Sequence, residues 1–109
     1  MINVTVMYPN APDKTFDMDY YLATHIPMVR RLSGSALKDV RVSEGIGGVE
    51  PGEKPTYRVI CDLVFDSVES FWQAYQPLGS AIAGDAVNYT TIPSKLFSYG
   101  RSVRDEKRR

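Results

Sequence analysis

The sequence has very little of the residues that build disulfides and metal centres. Its 109 residues include one cysteine and one histidine. A lone cysteine excludes an intrachain disulfide, and one Cys with one His at unrelated positions excludes a structural zinc site. Cys61 lies in the apolar run VICDLVF. This predicts a buried thiol that packs as a small hydrophobic group, with a reactive thiol as the alternative.

The chain also lacks a charge surplus and a long apolar run. Its 13 basic residues balance its 13 acidic residues, and affinity for phosphates depends on a surplus of Lys and Arg, so we expect no nucleic-acid partner. No apolar run approaches the ~18 residues that suggest a membrane span. The N-terminal MINVTVMY does not resemble a signal peptide. We therefore expect no membrane partner and a cytoplasmic location.

What the sequence does contain is an alternation of strand and helix patterns. Period-two apolar runs predict strands over 2–8, 37–46, 57–65 and 92–99. Apolar stripes at helical spacing predict a first helix between Asp17 and Gly34, and a second from Asp66 to about Ala83. This order predicts an α+β, ferredoxin-like βαββαβ fold: one four-stranded antiparallel sheet with two helices on one face.

The predicted order fits one domain over residues 1–100, followed by a charged C-terminal tail over 101–109. Two helices cover only one face of the sheet, whereas the strand over 57–65 is apolar on both sides. The uncovered face would therefore expose a hydrophobic patch. Because pairing two such faces would bury it, we expect a homodimer through the sheet face.

Local signals indicate where the helices begin and what they bury. Asp17 is predicted to be the N-cap of the first helix. Asp66 and Glu69 resemble a capping box at the start of the second. Phe71 and Trp72 lie on the apolar stripe of the second helix, which predicts that both belong to the core.

The only histidine lies within the first predicted helix. His25 falls on its apolar stripe, one turn after Tyr21. One interpretation is a neutral core histidine with one ring nitrogen bonded to a neighbour. The other is a general acid or base at the edge of a cavity. Pro27 predicts an irregular helix here, either a solvent-facing kink or a tilt of the turn that holds both rings.

Four further residues are candidates for a site shared with His25. Asp62 lies in the middle of a predicted strand, where it is either solvated or an inward carboxylate that orients a histidine or Arg58. Asn88 and Tyr89 precede the last predicted strand. They are either turn residues or an amide and a phenol at the mouth of a cavity.

Four segments give the chain a resemblance to a known family: MINVTVMYPN, FDMDYYLATHIPMV, LVFDSVESF and GDAVNYTTIPS. Together they resemble the EthD family, proteins similar to an ethyl tert-butyl ether degradation factor within the dimeric α+β-barrel superfamily. DMDYYLATHIP is the most specific element, and the resemblance extends from about residue 2 to residue 99. It implies a ferredoxin-like protomer that dimerises through its sheet, with a small-molecule cavity between sheet and helices.

The same resemblance leaves the reaction open. EthD family members are commonly labelled oxidoreductases, and relatives in the wider superfamily isomerise lactones, cyclise polyketide chains or bind haem. GIGG at 45–48 lies between two antiparallel strands and lacks GxGxxG spacing, so it does not predict a nucleotide site. We predict no cofactor, with haem on His25 as the alternative. TYRVICDLVF lacks the glycine–aromatic pattern of an RNA-recognition module.

The resulting functional hypothesis is a small-molecule enzyme of a degradative or biosynthetic redox pathway. It is either an oxidoreductase or a cofactor-free proton-transfer enzyme such as an isomerase or cyclase. His25 would move the proton, with Tyr21 and Tyr89 donating hydrogen bonds to a substrate oxygen. The alternative is a non-catalytic binding or accessory protein. In both cases the expected ligand is a small hydrophobic or aromatic molecule.

Overall fold

The computed structural model describes residues 1–93 and 95–103. Its four strands are β1 (Ile2–Pro9), β2 (Leu37–Glu44), β3 (Tyr57–Phe65) and β4 (Leu96–Arg101). The first helical region runs without a break through α1 (Met18–Tyr20), a π-helical turn (Tyr21–His25) and α2 (Ile26–Ser33). The second comprises α3 (Val68–Tyr75), α4 (Gly79–Gly84) and a 3₁₀ turn (Asp85–Asn88).

The strands form one sheet in the order β2-β3-β1-β4. All three neighbouring pairs are antiparallel. This is the strand order of the ferredoxin-like βαββαβ fold, and the predicted α+β class is confirmed. In this arrangement β1 and β3 are the central strands, so residues on their helix-facing side are covered from every direction.

The first helical region begins where the sequence predicts. An oxygen of the Asp17 carboxylate accepts a hydrogen bond from the backbone N–H of Tyr20 at 3.0 Å. The Phe16 ring, just before this cap, packs edge-on against the Tyr21 ring with centroids 4.9 Å apart. This contact between the residue before the cap and one in the first turn is a hydrophobic staple.

The irregularity expected at Pro27 takes the form of a π-helical turn. Because proline has no N–H, it cannot donate to the carbonyl four residues earlier. The segment Tyr21–His25 widens, and the N–H of Ile26 bonds to the carbonyl oxygen of Tyr21, five residues back. Single π turns of this kind are frequent at functional sites, and this one carries both Tyr21 and His25.

The second helix begins one residue later than predicted. Ser67, not Asp66, is the N-cap of α3, and it forms a reciprocal capping box with Ser70 in place of Glu69. Asp66 instead lies 3.5 Å from the amine of Lys38. Serine is as good a cap as aspartate, and the two are adjacent, so the sequence pattern alone did not distinguish them.

Two predicted strands have different limits in the structure. β2 ends at Glu44, before Ile46, which is 95% exposed in the following loop. The last strand begins at Leu96, not at residue 92, and it continues into the predicted tail. Ile92 donates its N–H to the Thr90 hydroxyl, and the proline that follows has no N–H for a sheet. Residues 104–109 of the tail lie outside the described residues.

The core lies between the sheet and the helices. Every second residue of β1 faces it, and the register places the apolar residues of β3 opposite: Ile2 with Phe65, Val4 with Leu63, Val6 with Cys61, and Tyr8 with Val59. Cys61 is buried, as predicted. The expected burial of neighbouring aromatic residues on α3 is half correct, since Phe71 is 1% exposed whereas Trp72 is 43% exposed.

Among residues 1–93 and 95–103, no helix packs on the opposite face of the sheet. Leu96, Met7 and Ile60 are direct neighbours across β4, β1 and β3, so they form one apolar row on this open face. The next row is polar, and in it the Thr5 hydroxyl donates to the Asp62 carboxylate at 2.7 Å. Within the described part of the chain, no helix is long and apolar enough to cross a bilayer.

Candidate functional site

A cavity of about 40 Å³ lies between the helix-facing side of the sheet and the helices. Its floor is formed by β1 and β3 and its roof by the π turn, α2 and α3. Phe97 of the edge strand β4 and Lys95, the residue just before that strand, also line it. Most of the lining side chains are aliphatic or aromatic. The polar groups that reach it include His25, Tyr8, Tyr21 and Lys95.

His25 is held in this wall by a carboxylate from a distant part of the chain. Its Nδ1 lies 2.9 Å from Oδ2 of Asp85, the first residue of the 3₁₀ turn after α4. The other carboxylate oxygen of Asp85 accepts hydrogen bonds from the Tyr20 hydroxyl at 2.8 Å and from the Asn88 amide at 2.9 Å. The carboxylate is therefore held from several sides, and it orients the imidazole.

The charge on Asp85 determines which ring nitrogen of His25 carries the hydrogen. Partial burial opposes the charge on Asp85, but hydrogen bonds from Asn88, His25 and Tyr20 outweigh this and lower the pKa of the carboxyl group. An ionised carboxylate only accepts hydrogen bonds, so Nδ1 of His25 carries the hydrogen. The neutral ring then has its lone pair on Nε2, the form that accepts a proton.

Burial of the ring lowers the pKa of His25, and the positive charge of Lys95 contributes in the same direction. Asp85 acts against both by favouring the imidazolium. Because burial is the strongest of these effects, His25 is neutral at pH 7. Its exposed fraction is only 3%.

Two tyrosines pack against the imidazole, and a third, Tyr8, is bonded to one of them. The Tyr21 ring stacks on it, with centroids 5.1 Å apart and planes 15° apart, and the Tyr89 ring lies 4.7 Å away. The hydroxyls of Tyr8 and Tyr89 form a buried hydrogen bond of 2.8 Å. Burial raises the pKa of all three phenols, so each remains protonated and can donate a hydrogen bond.

The structure brings together four of the six residues that the sequence singled out. His25 and Tyr21 line the cavity. Tyr89 packs against both rings from behind, and Asn88 holds Asp85. Neither Asn88 nor Tyr89 lines the cavity itself.

The other two residues lie elsewhere. Asp62 points to the open face of the sheet, so the inward carboxylate considered at this position is not found there. Arg58 donates to the carbonyls of Lys14 and Ala11, and it thereby fixes the loop after β1. Strand alternation explains both positions, because Asp62 and Arg58 occupy the face opposite to that of Cys61.

Two functional candidates were missed by the sequence analysis, Asp85 and Lys95. Asp85 occurs in the quoted segment GDAVNYTTIPS, but it resembled an ordinary turn residue. Lys95 falls in the predicted final strand, where a lysine usually indicates a solvated position. The only signal in the sequence was that Lys95, a hydrophilic residue, comes directly before the strand pattern from Leu96 to Tyr99.

The empty cavity is too small for the haem considered as an alternative. A cavity of about 40 Å³ holds a few water molecules, at ~10–15 Å³ each, and not a porphyrin. No group of three or more His, Cys, Asp or Glu side chains suited to a metal ion occurs among the described residues.

The pairing of His25 with Asp85 leads to a prediction that can be tested with the ligand-free protein. We expect Asp85→Asn to lower the pKa of His25 further, because it removes the negative charge that favours the imidazolium. With only one histidine in the chain, ¹⁵N NMR reports this ring without ambiguity and also shows whether Nδ1 carries the hydrogen. Asp19→Asn, an exposed carboxylate on α1, is the matched control and should leave the titration unchanged. An unaltered titration in Asp85→Asn would contradict the proposed pairing.

The fold and cavity together define the class of protein: a ferredoxin-like α+β domain with an imidazole–carboxylate pair beside an apolar cavity. The sequence pattern of the EthD domain matches residues 11–92 of the chain. The chain therefore belongs to the EthD family, and the resemblance noted in its sequence is confirmed. No curated protein matches the sequence.

Several solved structures are similar to the chain. The chain is similar to an EthD-like protein from Ralstonia eutropha JMP134, with 35% identity, coverage of 96% of this chain and 94% of that one, and a TM-score of 0.91. An ethyl tert-butyl ether degradation (EthD) family protein from Bacillus halodurans C-125 has 23% identity, coverage of 94% and 99%, and a TM-score of 0.71. A dimeric protein of unknown function with a ferredoxin-like fold, from Bacteroides fragilis NCTC 9343, has 13% identity, coverage of 93% and 95%, and a TM-score of 0.53.

Proposed function

We propose that this EthD-family chain is a small-molecule enzyme of a degradative or biosynthetic pathway that transfers protons without a cofactor, as isomerases and cyclases do. One observation carries the proposal. A buried imidazole lines an apolar cavity while its Nδ1 is bonded at 2.9 Å to a carboxylate. Proton transfer requires a base, hydrogen-bond donors and a dry pocket, and these are the groups gathered here.

In this proposal Nε2 of His25 is the base. It removes a proton from a carbon next to a carbonyl group and returns it to another position as the imidazolium. Asp85 is a positioning residue, because it holds the ring and stabilises the charge that develops on it. Since burial lowers the pKa of His25, the basic form predominates at neutral pH, and the rate should rise with pH only below neutrality.

The walls of the cavity favour a small apolar or aromatic ligand. The empty cavity is smaller than the ~300–1,000 Å³ of typical ligand sites. A ring-sized ligand therefore requires side chains at its edge to move. Phe97, which is 41% exposed on the edge strand, is suited to this role.

We also propose that two chains pair through the open faces of their sheets. The row formed by Leu96, Met7 and Ile60 supplies an apolar strip that an isolated chain leaves uncovered. The similarly folded Bacteroides fragilis protein is described as dimeric. A two-fold axis would bring two copies of this row together.

A second candidate function is that of a non-catalytic carrier for a hydrophobic molecule in an oxidative pathway. The predominantly aliphatic and aromatic lining of the cavity favours it. A carrier would bind its ligand without moving a proton. Loss of His25 would then alter affinity or stability, with no turnover to lose.

Deuterium exchange separates the two functions without a known substrate. We expect the protein to accelerate exchange at the α-carbon of one or more small alkyl or aryl ketones in D₂O, followed by ¹H NMR. His25→Gln should reduce the acceleration by about 100-fold, the lower part of the range for a general base. Thr24→Ala, an exposed neighbour on the same π turn, should retain it. If the unmodified protein and His25→Gln bind the ketone and show equal exchange rates, the result would support the carrier and refute the enzyme.

A further inference from the structure

Lys95 is a charged group in the wall of an otherwise largely apolar cavity. It precedes β4, and its amine nitrogen lies 5.9 Å from the centre of the Tyr8 ring. The cavity that it lines is the one lined by His25. Among the described lining residues, Lys95 is the only lysine or arginine.

This ammonium group has no carboxylate partner in the described part of the chain. The ion pairs found there involve Lys14, Lys38 and His25, not Lys95. Asp85, the carboxylate of the site, is already bonded to His25, Tyr20 and Asn88. Burial lowers the pKa of Lys95. Lys95 is half-buried, and a partly desolvated cation without a counter-ion is stabilised when a ligand supplies the negative charge.

Lys95 also lies on the same side of the molecule as the base. Its charge rests against the Tyr8 ring, whose hydroxyl bonds to that of Tyr89, and the Tyr89 ring lies 4.7 Å from the imidazole. The positive charge of Lys95 acts on His25 and lowers its pKa. A ligand in the cavity therefore meets the base on one wall and the cation on another.

We infer that Lys95 pairs with an anionic oxygen of the ligand, so that the cavity takes small apolar molecules bearing one carboxylate, phenolate or enolate oxygen. For the enolate, this inference rests on the proposed proton transfer. When Nε2 of His25 takes the α-proton, the C–H electron pair forms a carbon–carbon double bond, and the carbonyl π electrons move onto oxygen. The oxyanion pairs with Lys95, and the imidazolium returns the proton, so no oxidant or reductant is consumed.

Benzoate and benzamide test this directly, since they have nearly the same shape and differ in charge. At fixed ionic strength, calorimetry should show benzoate binding at least about tenfold more tightly than benzamide, as expected for a partly desolvated ion pair. Lys95→Met should remove this preference and leave benzamide affinity unchanged, whereas Lys95→Arg should retain it. Lys95→Gln is a second neutral variant, and far-UV circular dichroism checks the fold of each.

The expected preference for benzoate over benzamide does not depend on proton transfer. His25→Gln should keep the benzoate preference, so a protein without ketone exchange but with that preference would refute the proposed reaction and leave the Lys95 site standing. In Lys95→Met, the pKa of His25 should rise, because a nearby positive charge is gone. Equal binding of both probes to the unmodified protein, or a preference that survives in Lys95→Met, would overturn the inference.

Discussion

Replacing Phe71 with alanine is expected to lower the free energy of unfolding by about 3–5 kcal/mol, the usual cost of truncating a buried phenylalanine. The ring is 1% exposed and packs edge-on against Phe65 at 5.1 Å and nearly parallel to Tyr75 at 5.3 Å. It also forms part of the cavity wall. Truncation would enlarge an existing void, which the backbone cannot close without moving α3.

The neighbouring residue supplies a matched control for this experiment. Trp72 is larger than Phe71 and shares its helix, but it is 43% exposed. We expect Trp72→Ala to cost about 1–2 kcal/mol, because less of its surface leaves water on folding. Urea unfolding of both variants measures the difference. Equal losses would mean that α3 buries both rings, as the sequence pattern alone suggested.

Replacing Ile60 with lysine is expected to convert a dimer into a monomer. Ile60 lies in the apolar row of the open face, between Met7 on β1 and Ser43 on β2. In a two-fold symmetric dimer the substitution introduces two unpaired charges into the interface, each costing several kcal/mol. Sedimentation equilibrium at micromolar concentration should show twice the chain mass for the unmodified protein and a single chain mass for Ile60→Lys.

Ile46→Lys is the control for this result, because Ile46 is 95% exposed in the loop after β2. It should remain a dimer, and both variants should keep the unfolding cooperativity of the parent. A monomeric parent protein, or a dimer that tolerates lysine at residue 60, would refute pairing through the open face. In either case the cavity on the other face would be unaffected.

Much of the fold was predictable because its signals are local. The alternation over 57–65 matches β3 from end to end, and Asp17 caps the helix as predicted. Where two adjacent residues were equally suitable, the pattern failed by one position, as with Asp66 and Ser67. The last strand begins at Leu96 and not at residue 92 as predicted. Pro93 lies in between, and proline cannot donate a hydrogen bond to a sheet.

The site was predictable only in part. Tyr21 and His25 were found because they share one face of one helical turn. The sequence left Asp62 either solvated or inward, because strand alternation gives two faces and only the packing of the helices determines which face is covered. Asp85 and Lys95 carry no local pattern that distinguishes them from a turn residue and a surface lysine.

The sequence by itself determined the strand and helix order, the family and the single imidazole on a helix disturbed by Pro27. These depend on periodicity, capping and proline chemistry, which act over a few residues. Only the tertiary structure decided what the imidazole does there. It brings Asp85 to His25 across 60 residues of sequence and places Lys95 in the same cavity. Such contacts depend on how the edge strand and the turn after α4 pack against the π turn, and no short stretch of sequence contains that information.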